Sequence, residues 1–134
     1  MANFNPRISF SLPCDPIPLA RPRFTHGRAY LPKRSRDYRE LLQAAAKETM
    51  QNLGIAPLTG ELSCEFEFYR KFKTACRNFG DLDNHIKASL DALQGIIFAD
   101  DAQVVKVIAS KHTDKLNPRC IITIRQNKST ADLF

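Results

Sequence analysis

The chain has 134 residues, 43% of them apolar and 25% charged, with a net charge of +6. This length accommodates one compact domain and leaves little for a second, and no run approaches the ~20 apolar residues that a membrane span needs. The opening Met1-Ala2-Asn3-Phe4-Asn5-Pro6-Arg7 has no apolar secretion core, so a cytoplasmic location is expected.

The placement of charge says more than its total. Arg7, Arg21, Arg23, Arg28, Lys33, Arg34, Arg36 and Arg39 stand against Asp15, Asp37 and Glu40 in the first forty residues, a net +5. Arg70, Lys71, Lys73 and Arg77 form a second cluster. Such clustering is the footprint of a polyanion partner, most commonly nucleic acid, although a solvated basic face produces the same composition. Cys14, Cys64, Cys76 and Cys120 contain no Cys-x-x-Cys pair and read as free thiols rather than zinc ligands.

In chain order, Arg7 to Leu12 alternates as a half-buried strand ended by Pro13. Pro16, Pro18 and Pro22 hold the next stretch out of regular structure, and Phe24 to Leu31 predicts a short hairpin turning at His26-Gly27. Ser35 is a candidate cap for a helix reaching Asn52, with Gly54 as its stop. Its inner stripe is expected to be Tyr38, Leu41, Leu42, Ala45 and Thr49. Glu61 to Tyr69 alternates cleanly, with Leu62, Cys64, Phe66 and Phe68 on one face, so it predicts a strand. The basic segment Arg70 to Gly80 reads as a loop. A second helix runs from Asp81 or Asp83 to about Gln94, stopped by Gly95, with Ile86, Leu90 and Leu93 buried. Val104 to Lys111 and Cys120 to Arg125 predict two closing strands joined as a hairpin across Thr113 to Pro118. The order implies an α+β domain over residues 1–126, two α-helices on one face of a small mixed β-sheet. Residues 127–134 read as a flexible polar tail.

Asp81 and Asp83 open the second helix, and Asp100-Asp101 follows its end. One reading is purely local, with helix caps and a turn worth a few tenths to ~1 kcal/mol each. The other gathers Asp81, Asp83 and Asp101 into one cluster, where each pair at ~4 Å would repel by about 4 kcal/mol at an effective dielectric near 20. Such a cluster calls for a bound cation, and hard carboxylate oxygens suit Mg²⁺ or Mn²⁺. A metal so held activates water and neutralises charge on a phosphate oxygen. Lys87 lies one turn beyond Asp83 on the same helical face. It is either a surface ion-pair partner or a group that holds the scissile phosphate. Asp91, a further turn on, is placed to orient it. His85 reads as a helix-surface imidazole in preference to a metal ligand or proton shuttle.

The combination Asp81-Leu82-Asp83-Asn84-x-x-Lys87, Leu90-Asp91-Ala92-Leu93 and Asp100-Asp101-Ala102-Gln103-Val104 closely resembles the RusA family of Holliday junction resolvases. The Pro18-x-x-Arg21-Pro22-Arg23 arm and Lys111 are similar to those of phage and prophage members. The resemblance covers residues 7 to 126. It implies a homodimer that resolves four-way DNA junctions by paired symmetric nicks, with Mg²⁺ or Mn²⁺ as cofactor. It implies Asp81, Asp83 and Asp101 as metal-binding carboxylates, Lys87 as the essential lysine, and Asp100 in support. Arg21, Arg23, Arg28, Lys33, Arg34, Arg70, Lys71, Lys73, Arg77 and Lys111 are then the expected DNA-binding residues. The rival reading is a branched-DNA-binding protein without turnover, against which the intact acids and Lys87 argue. The terminal Asp132-Leu133-Phe134 resembles peptides that dock on the bacterial sliding clamp, and the alternative is that Leu133 and Phe134 fold back on the body.

Overall fold

A computed structural model describes residues 6–19, 23–71 and 81–128, apart from the Arg23 side chain. The chain forms strand β1 (Arg7–Leu12), a small ribbon of β2 (Arg23–Thr25) and β3 (Arg28–Tyr30), helix α1 (Lys33–Leu53), strand β4 (Leu62–Arg70), helix α2 (Leu82–Leu93), and strands β5 (Val104–Thr113) and β6 (Arg119–Gln126). The main sheet has the order β1-β6-β4-β5. β6 runs antiparallel to both β1 and β4, while β4 and β5 are parallel and are linked through α2. The fold is α+β, two helices with a mixed sheet, as the element order implied.

The hairpin at His26-Gly27 forms as expected. Both residues take positive φ, 53° and 76°, which a two-residue turn matched to strand twist requires. The hairpin predicted between β5 and β6 does not form. β6 instead inserts between β1 and β4, where its run Cys120-Ile121-Ile122-Thr123-Ile124 is covered; Cys120, Ile122 and Ile124 are fully buried. β5 takes the edge, and its Val105, Lys106, Val107 and Ile108 are exposed. A strand apolar through its centre gains most from two neighbours, and a strand carrying exposed lysine suits an edge.

α1 begins at Lys33, two residues before the expected cap, with Pro32 preceding it and no side-chain cap. Its buried stripe is Tyr38, Leu42, Ala46 and Met50, a four-residue spacing that leaves Leu41 51% exposed. Thr49 sits partly buried and donates its hydroxyl to the Ala45 carbonyl at 2.8 Å. The left-handed Gly54 ends the helix, donating its N–H to the Met50 carbonyl at 2.9 Å. Leu62, Cys64, Phe66 and Phe68 of β4 fill the core together with Ile8, Leu93, Ile97 and Phe98. Among the described residues no helix is long and apolar enough to cross a membrane. The chain stays tied to the body slightly beyond Gln126: the Asn127 N–H donates to the Glu61 carbonyl at 2.8 Å, and Ser63 donates to the Asn127 side chain at 2.8 Å.

Candidate active site

Asp81 occupies the cap position of α2, yet its side chain makes no capping hydrogen bond. Its backbone carbonyl accepts instead from the N–H groups of Asn84 and His85, at 3.1 and 3.2 Å. Asp83 stands exposed in the first turn. Both carboxylates thus lie at the positive end of the helix without being used as caps, which removes the simplest local explanation for Asp81.

Asp101 comes from the other end of α2. The loop after that helix closes in a single 3-10 turn, Asp101–Gln103, capped by Asp100, whose carboxylate accepts from the Ala102 N–H at 2.9 Å. Gln103 locks this turn from both sides. Its Oε1 accepts from the N–H groups of Ala99 and Asp100, each at 3.0 Å, while its Nε2 donates to the carbonyls of Leu58 and Gly60 at 3.2 and 3.0 Å. Gln94 accepts the Asp101 N–H at 3.3 Å. With its backbone held, Asp101 presents its carboxylate to Lys87, whose Nζ lies 3.4 Å from Oδ2. The same ammonium donates to Asp91 at 2.9 Å, and Arg39 of α1 approaches the other Asp91 oxygen at 4.0 Å. The hydrogen bond and charge of Asp91, with a smaller contribution from Asp101, hold the Lys87 ammonium above the ordinary lysine range. Lys87 is therefore a fixed cation at neutral pH.

Among the described residues no three acids, histidines or cysteines form a metal-holding group. The donors are hard carboxylate oxygens of the kind Mg²⁺ takes, and Lys87 is the ion-pair partner of Asp101. Fit to a divalent cation is one of donor chemistry, not of an assembled cage.

Two expectations about individual residues are corrected. His85 is not on the helix surface: it is 1% exposed, and its ring centroid lies 5.0 Å from that of Phe68. The buried face of α2 is His85, Ser89, Ala92 and Leu93, with Ile86 and Leu90 flanking it. Arg70 does not present itself to DNA. It closes β4 fully buried, and its guanidinium reaches the Asp15 carboxylate at 3.2 and 3.4 Å. Asp15 also accepts the Lys71 N–H at 3.0 Å. That pairing ties the proline-rich stretch before Leu19 to the sheet, and the Leu19 N–H reaches the Asn84 carbonyl in the first turn of α2 at 3.0 Å.

Of the remaining basic residues, Arg28, Lys33, Arg34 and Lys71 are exposed, Lys33 paired with Asp37 at 2.9 Å. Lys111 is partly buried in register with Phe68, on the helix-bearing side of β5. Arg21, Lys73, Arg77 and the tail residues Asp132, Leu133 and Phe134 lie outside the described residues, as does the side chain of Arg23. Sequence reasoning placed Gln103 in the family motif and Arg39 in the basic cluster, but gave neither of them, nor Gln94, the contacts seen here. For Gln103 a signal existed: Asp100-x-x-Gln103 is the spacing of a reciprocal capping box.

Residues 13–125, which contain Asp15, the arm, α2 and the Gln103 turn, match the family model Endodeoxyribonuclease RusA. The chain belongs to the RusA endodeoxyribonuclease family. It is also similar to the uncharacterized protein YqaN of Bacillus subtilis (strain 168), 26% identical over 140 residues, covering 89% of this chain and 96% of that protein. The RusA match spans every described element that builds the Lys87 site.

Proposed function

We propose that this RusA-family protein is a divalent-metal-dependent endodeoxyribonuclease that resolves four-way DNA junctions as a homodimer, cutting two strands symmetrically. The observation that carries the reading is the placement of Lys87 between Asp91 and Asp101, within the segment that matches the RusA model. An ammonium kept charged by two carboxylates, yet half exposed, is available to a phosphate oxygen. Asp91 orients it from one helical turn away, and Asp101 is held by the Gln103 lock at the other side.

Asp81, Asp83 and Asp101 are the residues that would hold Mg²⁺ or Mn²⁺; bound, the ion supplies charge neutralisation and activation of water. The protein's own groups do the rest. The basic residues Arg21 and Arg23, which follow in sequence the Leu19 held at the first turn of α2, would gather the DNA backbone beside the acids. Lys87 takes the charge that builds on the phosphate as the bond breaks. A twofold dimer supplies two such sites for two related strands. The test is cleavage of a synthetic four-way junction labelled on each strand in turn, with Mg²⁺ present or chelated. Paired nicks at symmetric positions, lost on chelation, are expected. Binding without any cut strand would favour the non-catalytic junction-binding alternative.

A further inference from the structure

The open face of the sheet, away from α1 and α2, carries a row of cations that the site does not use. Arg7 of β1 is directly opposite Arg125 of β6, Arg125 is opposite Ser63 of β4, and Ser63 is opposite Lys106 of β5. Directly paired residues point to one side of a sheet. Ser63 alternates with the buried Leu62 and Cys64, so this rung faces away from the helices. Arg7, Arg125 and Lys106 are exposed. Arg7, Arg125, Asn127 and the exposed Lys128 line one open depression, which adjoins a second along Ser63 and Lys106.

These cations make no ion pair with a described residue, although Glu65 lines the depression beside Lys106 and Arg125. Among the described residues Arg7, Lys106, Arg125 and Lys128 form no ion pair, whereas Lys33, Arg39, Arg70, Lys87 and Arg119 each do. Glu65, one rung along on the same face, is exposed and pairs with none of them. Like charges directly opposite in an antiparallel pair destabilise it, so the Arg7–Arg125 pairing costs the isolated domain stability. With strands about 4.8 Å apart, the row spans roughly 14 Å, a length over which one DNA strand carries about four phosphates.

We propose that this rung is a second DNA-backbone contact, which engages a segment of the substrate other than the one at Lys87. The inference rests on the endonuclease reading for the identity of the polyanion. For a branched substrate it means that one protomer grips two arms, one on the helix side of β5 and one on the open face.

The test compares the salt dependence of binding to a four-way junction, with divalent metal chelated, for wild type and Arg7→Gln/Arg125→Gln. A control, Lys47→Gln/Lys115→Gln, removes two exposed cations elsewhere. Loss of two phosphate contacts should lower the slope of log K against log salt by about 2, while the control leaves it near wild type. Arg7→Lys/Arg125→Lys should keep the wild-type slope. The melting temperature of the Gln variant should equal or exceed that of wild type, because a like-charge pair has been removed. A slope unchanged in the Gln variant, or lowered equally in the control, overturns the proposal. A wild type that binds with the expected slope difference but cuts no strand once Mg²⁺ is restored would defeat the nuclease reading alone.

Discussion

Lys87 is shared between two acids on the C-terminal side of it: Asp91, one turn along α2, at 2.9 Å, and Asp101, from the turn beyond the helix, at 3.4 Å. The first contact is built into the helix by its i, i+4 spacing. The second exists only because the loop after α2 turns back and is held there. The site therefore depends on a helix face and a locked turn together, and each can be perturbed separately.

Removing Asp91 should weaken catalysis without weakening binding. In Asp91→Asn the largest influence keeping Lys87 protonated is gone, so its ionisation falls toward the ordinary lysine range. Single-turnover cleavage should drop about tenfold, ~1.4 kcal/mol of barrier, and the alkaline limb of the rate profile should move to lower pH. Junction affinity should stay within twofold. A lowered rate with an unmoved alkaline limb would assign Asp91 a merely structural role.

The turn is the other half. Gln103→Ala removes two acceptor and two donor hydrogen bonds at once, and these groups are largely able to turn to water. A loss of about 1–3 kcal/mol is expected by urea denaturation. Gln103→Glu keeps the acceptor bonds to Ala99 and Asp100 but not the donations to Leu58 and Gly60, so it should fall between. Equal loss in both variants would mean that the donor half carries the whole lock.

Arg70 and Asp15 form the anchor of the arm. Asp15→Ala leaves a fully buried guanidinium without its carboxylate, which should cost roughly 3–5 kcal/mol. Arg70→Met, which removes the charge itself, should be milder. Both should speed amide exchange at Leu19, whose N–H is held on the Asn84 carbonyl. Leu19 protection equal to wild type in both variants would uncouple the arm from this pair.

Burial pushes the Cys64 thiol up to about 11 and the Cys120 thiol up to about 12. At pH 8 iodoacetamide should leave both unmodified in the native protein and alkylate both in urea, as peptide mapping resolves. The sign of the linkage follows. The unfolded thiols ionise from about 9, the folded ones later, so the stability contributed by these protonated thiols is full below that value and is lost as pH rises from about 9 through 11 to 12. A urea midpoint as high at pH 10.5 as at pH 8 would contradict it.

Much of this architecture was legible from local pattern. The alternation of Leu62 to Phe68, the His26-Gly27 turn and the helix stops at Gly54 and Gly95 need only neighbouring residues to be read. Two of the corrections involve partners far along the chain. β5 and β6 adjoin in sequence, yet β6 finds its place between β1 and β4, strands whose apolar faces complete its burial. Arg70 looked like one more exposed cation in a basic run, because its partner Asp15 is 55 residues away. His85 was misplaced because its polarity outweighed its phase, which matches that of Ser89, Ala92 and Leu93 on α2. At the candidate site, the motif put forward Asp81, Asp83, Lys87 and Asp101. Their arrangement was not, since the position of Asp101 depends on Gln103 reaching Leu58 and Gly60.

The most direct test of the account is strand cleavage of a synthetic four-way junction in Mg²⁺ by wild type and by Asp83→Asn, with binding of the same junction measured in parallel. Wild type should cut paired strands, and Asp83→Asn should bind at least as tightly, having lost a negative charge near the phosphates, while its cleavage falls by at least a hundredfold, ~2.7 kcal/mol. Cleavage by Asp83→Asn at the wild-type rate would contradict the assignment of the α2 carboxylates to the active site.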